Sequence, residues 1–126
     1  MKATKILLVD DDATVRSIPA LFLRKWGYDV IEAGDGLQAL EILEREPIGL
    51  VISDWVMPHV TGIELCRRIR ARDTGRYTYL ILCTSKGEKS DLLEGLEAGA
   101  DDFLIKPIGK EEMRARVHAG ERVLEL

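Results

Sequence analysis

Five polar residues follow or end apolar stretches of this 126-residue chain: Asp10, Asp11, Asp54, Thr84 and Lys106. Asp54 ends the stretch LVISD, and Pro58 prevents a helix directly after it. A short apolar run before a helix breaker is typical of a buried strand. Because ligands of open α/β folds bind at the carboxyl edge of the parallel strands, we expect Asp54 to be the working residue.

These residue types suit a hard metal ion. Carboxylates that lie close together repel and raise each other's pKa unless a cation lies among them. Ligand sets made of oxygen favour a hard ion, and two carboxylates with waters suit Mg²⁺. The group contains no cysteine or histidine, which argues against zinc. We therefore predict Mg²⁺ between Asp11 and Asp54.

The same residues predict phosphoryl transfer. A divalent ion and the Lys106 ammonium would concentrate positive charge beside a carboxylate oxygen, and phosphoryl transfer depends mainly on positioning and such electrostatics. Carboxylates attack phosphorus to give aspartyl phosphates. Asp54 is the natural nucleophile because it stands alone on the central strand. Thr84 and Lys106 can then donate hydrogen bonds to the phosphoryl oxygens.

Strands and helices alternate along the chain and must position these residues. The apolar patterns predict strands at 5–10, 28–32, 49–54, 78–84 and 102–105, with helices at about 13–26, 35–46, 61–72, 89–98 and from 110 onwards. Short connections between them favour a doubly wound α/β sandwich, a flavodoxin-like (βα)5 fold with a parallel sheet of order 2-1-3-4-5. That order gathers the five polar residues at one edge.

Local signals refine these elements. Asp35 and Thr61 are expected to cap helices, with Glu64 completing a capping box. Pro19, inside the first helix, predicts a kink or a late helix start. The fourth helix is expected to bury three leucines, Leu92, Leu93 and Leu96, and to stop at Gly99.

The composition excludes several classes of protein. The net charge of −4 argues against a nucleic-acid surface, and no apolar run approaches the roughly 20 residues of a membrane span. We therefore expect no nucleic-acid or membrane contact by this domain, and a cytoplasmic location. Cys66 and Cys83 are predicted to be core residues. Trp55 is expected to be partly exposed, and four arginines to form a solvated helix face: Arg67, Arg68, Arg70 and Arg72.

The chain resembles the receiver domain of bacterial two-component response regulators. The resemblance rests on LLVDDD with Arg16 downstream, on SDWVMPHVTGIEL, ILCTS and GADDF, and on Lys106 followed by Pro107. These motifs occur in order on the predicted elements, and they cover essentially residues 1–126 as one receiver domain.

The resemblance implies a detailed site. Asp54 would be phosphorylated by a sensor histidine kinase or a phosphotransfer protein. Mg²⁺ would be bound by Asp11, Asp54 and the backbone carbonyl of Val56, with Asp10 acting through a metal-bound water. A cis peptide is implied before Pro107.

The resemblance also implies a switch. Thr84 would move towards the phosphoryl group, and Phe103, where the family often carries tyrosine, would turn into the vacated space. Val56 and Lys86 occupy positions that influence hydrolysis of the acyl phosphate. The protein would catalyse its own phosphorylation and dephosphorylation as a signalling switch, without being a turnover enzyme.

Partners follow from the same resemblance. The face formed by the fourth helix, fifth strand and last helix would control a homodimer or an output domain. In the last helix, Met113, Val117, Gly120 and Leu124 are spaced 4-3-4, and the helix reaches Leu126 without a capping signal. We therefore expect the chain to be the N-terminal part of a longer protein whose output could resemble a cyclic-dinucleotide cyclase.

Two alternatives belong to other classes. Asp10, Asp12 and Thr14 match the D-x-D-x-T pattern of haloacid-dehalogenase-type phosphatases, in which Asp10 would be the nucleophile. That interpretation gives Asp54 no role, and the acidic pair of GADDF precedes the lysine instead of following it. A flavin-binding module is disfavoured because three aspartates after the first strand would repel a phosphate.

Overall fold

The computed structural model describes residues 4–72, 74–85 and 89–125, with the side chains of 89–91 left aside. Five strands and five helices alternate along it. They are β1 (Lys5–Val9), α1 (Ala13–Lys25), β2 (Asp29–Ala33), α2 (Gly36–Arg45), β3 (Leu50–Asp54), α3 (Gly62–Ala71), β4 (Tyr79–Thr84), α4 (Lys89–Ala98), β5 (Asp102–Ile105) and α5 (Lys110–Leu124).

The strands form one parallel sheet in the order β2-β1-β3-β4-β5. The register pairs Val9 with Ser53, and Asp54 with Cys83. The carboxyl ends of neighbouring strands therefore lie level with one another. The structure confirms the predicted doubly wound fold and its strand order.

Helices cover both faces of the sheet. On one face, alternate strand residues such as Leu7 and Val51 pack with residues of α2 and α3. On the other, Ile6 and Ile52 pack with α1 and α5, including Met113. Because both faces are covered, the strands are apolar along nearly their whole length.

Side chains cap α1, α2 and α3 as the sequence indicates, but the Glu64 carboxylate accepts from Arg68 instead of completing the predicted capping box. The Asp12 carboxylate accepts hydrogen bonds from the main-chain N–H groups of Thr14 and Val15 at the start of α1. Asp35 caps α2 in the same way, and Thr61 accepts from the Glu64 N–H at the start of α3. These bonds satisfy N–H groups that have no partner within the helix.

Helix α1 corrects one expectation. It begins at Ala13 and continues through Pro19 to Lys25, so a late start is wrong. Pro19 has no N–H to offer the Val15 carbonyl four residues earlier. Val15 is 45% exposed, so water can reach this end of the helix and replace the missing bond.

Helix α4 differs from the sequence-based expectation in which of its residues are buried. Leu93 and Leu96 are 51% and 50% exposed, so their predicted burial is wrong. Gly95 and Ala98 face the core instead. Small residues turn inwards here because the Phe103 ring comes so close that a Cβ on Gly95 would lie 2.7 Å from it.

The arginines of α3 do not form a uniform solvated face. Arg70 donates to the carbonyls of Thr78 and Gly99 and to the carboxylate of Asp101, and Arg72 donates to the carbonyl of Leu43. The prediction was wrong for these two, because periodicity cannot show which surface side chains reach a neighbouring loop. Cys66 and Cys83 are buried free thiols, as predicted.

Candidate functional site

Three carboxylates meet at the carboxyl edge of the sheet. Asp10 and Asp11 follow β1, and Asp54 ends β3. One oxygen from each lies within 4.8 Å of the others, a spacing that could hold a metal ion. Asp10 is buried, Asp54 is half-buried and Asp11 is exposed, so the cluster opens towards solvent.

Lys106 completes the cluster from β5. Its Nζ lies 3.1 Å from Asp54 Oδ1 and 3.2 Å from Asp10 Oδ2. Its main-chain N–H donates to the Thr84 carbonyl at 2.8 Å, which fixes the end of β5 beside β4. The peptide bond between Lys106 and Pro107 is cis, as the resemblance implied.

The electrostatics of the site favour an added cation. Burial raises the pKa of Asp54 above its usual value, the Lys106 ammonium partly opposes this rise, and the charge of Asp10 adds to it. Burial alone would lower the pKa of Lys106, but its contacts with Asp54 and Asp10 raise it overall. Within the described part of the chain, the Lys106 ammonium therefore contacts two of the three carboxylates, and oxygen ligands with this charge suit Mg²⁺.

Neighbouring groups hold the first carboxylate in place. Asp10 Oδ1 accepts the Asp12 N–H at 2.9 Å, and the Asp10 carbonyl accepts Arg16 Nη1 at 2.7 Å. The Asp12 side chain bonds to the first turn of α1. Because Asp12 is occupied as a helix cap, it is poorly placed to act as the general acid that the phosphatase alternative requires.

Thr84 and Phe103 lie where the strand order predicts. Thr84 ends β4 and is 2% exposed. Phe103 lies on β5, paired in register with Leu82, and its ring is half-buried against the α4 side of the core. Both residues therefore lie on β4 and β5, the two strands between β3, which carries Asp54, and the β5 edge of the sheet.

Trp55 departs from expectation. It is 7% exposed, and its indole stacks on Phe103 with the ring centroids 6.3 Å apart. The predicted partial exposure was wrong, because the chain turns after Asp54 and directs the indole into the core. No local pattern in the sequence distinguishes this direction from the outward one.

Two residues, Val56 and Lys86, are predicted to influence hydrolysis of the acyl phosphate. Val56, two residues after Asp54, is 64% exposed. Lys86 lies outside the described residues.

A cavity of about 770 Å³ adjoins the cluster and was not predicted. Asp10, Asp54 and Lys106 line one end, while residues such as Phe22 and Met113 make the rest of it apolar. Its walls come from α1, the sheet and the loop after β5, which the sequence does not show to be adjacent.

Comparison with known proteins agrees with this geometry. The model of the response regulator receiver domain family matches residues 6–118. The phosphate regulon transcriptional regulatory protein PhoB of Pseudomonas aeruginosa is 39% identical over 120 residues, covering 94% of this chain and 52% of PhoB. The chain therefore belongs to the response regulator receiver domain family.

Solved structures agree. The chemotaxis response regulator CheY4 of Vibrio cholerae has a TM-score of 0.89 at 28% identity, covering 94% of this chain and 99% of CheY4. A probable two-component system response regulator/GGDEF domain protein has a TM-score of 0.90 at 35% identity, covering 98% of this chain and 51% of that one. The protein is thus a receiver domain of two-component signal transduction.

The curated relatives differ from this chain in length. The chain spans about half the length of the curated relatives that it matches. The phosphatase alternative finds no support among them. Receiver domains bind Mg²⁺ through an acidic cluster, and such a cluster is present here. Within the described ranges, no helix has the length and apolar character needed to cross a membrane.

Proposed function

We propose that Asp54 accepts a phosphoryl group from a sensor histidine kinase or phosphotransfer protein in a Mg²⁺-dependent reaction. The observation that carries this proposal is the meeting of Asp54 with Asp10 and Asp11, within 4.8 Å, and with Lys106 at 3.1 Å. Among the three carboxylates, Asp54 lies on the central strand and bonds directly to the lysine, whereas Asp10 also holds the start of α1.

The neighbouring residues divide the work. Asp11 and Asp54, with the Val56 carbonyl, would hold Mg²⁺, and Asp10 would act through a metal-bound water. When bound, the ion supplies positive charge to the oxygens of the transferring phosphoryl group. The Lys106 ammonium leaves part of its contact with Asp54 to hydrogen-bond a phosphoryl oxygen, and the Thr84 hydroxyl bonds another.

Phosphorylation then adds negative charge at the carboxyl edge of the sheet. An aspartyl phosphate adds roughly −1.5 to −2 of charge. Thr84 would move towards it, and Phe103 would turn into the space that Thr84 vacates. Val56 and Lys86 would set how quickly water removes the group.

The signal would leave through the face formed by α4, β5 and α5. This face carries exposed apolar side chains: Leu93 and Leu96 are about half exposed and Ile105 is 43% exposed. Such a surface suits a homodimer or an output domain. Because the curated relatives are about twice as long, we propose that this receiver precedes an output domain. PhoB is by name a transcriptional regulator, and the solved relative is by title a response regulator/GGDEF domain protein.

The test is phosphorylation by acetyl phosphate, followed by intact mass. The wild-type protein is expected to gain one phosphoryl group with Mg²⁺ and none with a chelator. Asp54→Asn should abolish the gain. Asp12→Asn is the matched control, since asparagine still caps α1 and should leave the gain intact. Equal uptake by Asp54→Asn would show that another residue is the acceptor.

A further inference from the structure

Trp55 contacts both ends of the proposed switch. Its main-chain N–H donates to Asp54 Oδ1 at 2.9 Å and to the Cys83 carbonyl, also at 2.9 Å. Its buried indole stacks on the Phe103 ring, with the ring planes 26° apart. One residue therefore touches the carboxylate through its backbone and the aromatic ring through its side chain.

Two glycines pack closely against Trp55 and Phe103. The Gly62 N–H donates to the Trp55 carbonyl at 2.9 Å, and a Cβ on Gly62 would lie 3.0 Å from the Trp55 Cα. On the far side, a Cβ on Gly95 would lie 2.7 Å from the Phe103 ring. Because groups this close leave little free volume, a shift of the Trp55 backbone must displace its neighbours.

We propose that Trp55 is a positioning residue that couples the Asp54 carboxylate to the Phe103 ring, in parallel with Thr84. The inference rests on the proposed function, since it requires an aspartyl phosphate at Asp54. One Asp54 oxygen bonds to phosphorus while the bond from phosphorus to the donor breaks, and its electron pair leaves with the donor, as acetate when the donor is acetyl phosphate.

That reaction changes what the Trp55 N–H meets. An ionised carboxylate accepts a strong, charge-assisted hydrogen bond, whereas an acyl phosphate offers a weaker carbonyl or ester oxygen at the same place. The Trp55 N–H also donates to the Cys83 carbonyl of β4. When the bond to Asp54 weakens, the bond to Cys83 becomes the stronger of the two, and the Trp55 backbone moves towards β4. The indole moves with its backbone and alters the packing of Phe103 against α4. This route to Phe103 does not pass through the Thr84 hydroxyl.

The chain contains an internal control for this idea. It has only two phenylalanines and two tryptophans, and they form two stacked pairs. In the second pair, within and just after α1, Phe22 stacks on Trp26 with centroids 6.0 Å apart. A single fluorine label on phenylalanine therefore reports on both pairs in one spectrum.

The experiment labels the whole chain with 4-fluorophenylalanine and records fluorine NMR with Mg²⁺, before and after acetyl phosphate. In the wild type, the Phe103 resonance is expected to move on phosphorylation. In Trp55→Met the movement should fall to about half or less at equal phosphoryl content, measured by intact mass. Trp55→Tyr, which restores an aromatic ring without adding a labelled phenylalanine, should recover most of it. Trp26→Met should leave the Phe103 response at its wild-type value.

The outcomes separate the two proposals. A phosphorylated Trp55→Met protein with the full wild-type Phe103 response overturns the coupling and leaves Asp54 as acceptor intact. A wild-type protein that takes up no phosphoryl group overturns the proposed function, and the coupling with it. An unshifted Phe22 resonance shows that the Trp55 variants are folded, and an unshifted Phe103 resonance before phosphorylation shows the same for Trp26→Met, which removes the ring stacked on Phe22. If Trp55→Met does not fold, Trp55→Leu is judged by the same criterion.

Discussion

The two edges of the sheet differ in how their acidic side chains are paired. At the carboxyl edge, Asp10, Asp11 and Asp54 lie together, and among the described residues the ammonium paired with this cluster is that of Lys106, which contacts Asp10 and Asp54. At the opposite edge, acidic side chains have matched partners. The Asp101 carboxylate accepts from Arg70, from the Leu80 N–H and from the Tyr77 hydroxyl.

A second cluster at that opposite edge shows the same pattern. The Glu121 carboxylate of α5 accepts from the hydroxyls of Thr4 and Tyr28, at 2.9 Å and 2.6 Å. Burial, with the Glu121 hydrogen bond adding to it, raises the pKa of Tyr28. One edge of the sheet is therefore held together by satisfied networks, while the other keeps negative charge uncompensated. Stability and reactivity are assigned to opposite ends of the same strands.

The largest test of this contrast is Arg70→Met. Arg70 donates to the carbonyls of Thr78 and Gly99 and to the Asp101 carboxylate, and its loss would remove these bonds and the charged partner of Asp101. We expect the free energy of unfolding to fall by about 3 kcal/mol in urea titration. Arg68→Met is the control, because the ion pair that Arg68 forms among the described residues is with Glu64, on the helix surface. A similar loss in both variants would contradict the special role of the Arg70 network.

The next effect is stabilisation by Mg²⁺. An ion that binds only the folded cluster raises the free energy of unfolding by about 2.7 kcal/mol at a hundred times its dissociation constant. We expect thermal unfolding to move to a higher temperature as Mg²⁺ is titrated, with a much weaker effect in Asp54→Asn. Asp12→Asn should respond as the wild type does. An unchanged response in Asp54→Asn would show that the ion binds elsewhere.

A smaller effect is that Asp54→Asn stabilises the metal-free protein. Burial raises the pKa of the Asp54 carboxyl in the folded state. The neutral form is therefore favoured there, and ionisation of Asp54 lowers the free energy of unfolding. The gain should therefore be absent below the unfolded pKa of about 3.9, grow as pH rises from there to the folded pKa, and stay constant at higher pH. Urea titrations across pH measure it. A gain that shrinks with rising pH would have the wrong sign.

The smallest effect is expected at the opposite edge, for Glu46→Gln. The hydrogen bond from Lys5 and its charge lower the pKa of Glu46. This pair contributes stability above the unfolded pKa, and the contribution is lost as pH falls through the folded pKa. The loss in Glu46→Gln should thus be seen near neutral pH and vanish in acid, where the same urea titrations would find it equal to wild type. Its pH dependence is the mirror image of that of Asp54.

Sequence reasoning was strongest where the chemistry depends on strand ends. Asp10, Asp54 and Lys106 could be placed together because each ends or follows an apolar run, and parallel strands align their carboxyl ends. It was weakest where a side chain crosses between elements. Trp55 turns inwards and Arg70 reaches the loop after α4, and neither direction is encoded by local periodicity.

Helix α4 shows the same limit within one element. The spacing of its leucines predicted a buried face, yet Leu93 and Leu96 are half exposed. Helical periodicity identifies an apolar stripe but does not say which neighbour will cover it. Here the Phe103 ring lies against Gly95 instead, and the leucines remain on the outer face.

The sequence by itself determined the order of strands and helices, the caps that start the helices and the residues delivered to the carboxyl edge. These follow from local pattern and from the handedness of parallel crossovers, which act over a few tens of residues. Only the tertiary structure decided that Asp10 and Asp54 share one lysine, that Trp55 stacks on Phe103 and that Arg70 pairs with Asp101 at the opposite edge of the sheet. Those contacts join distant parts of the chain, and close packing in three dimensions selects among directions that the sequence leaves equivalent.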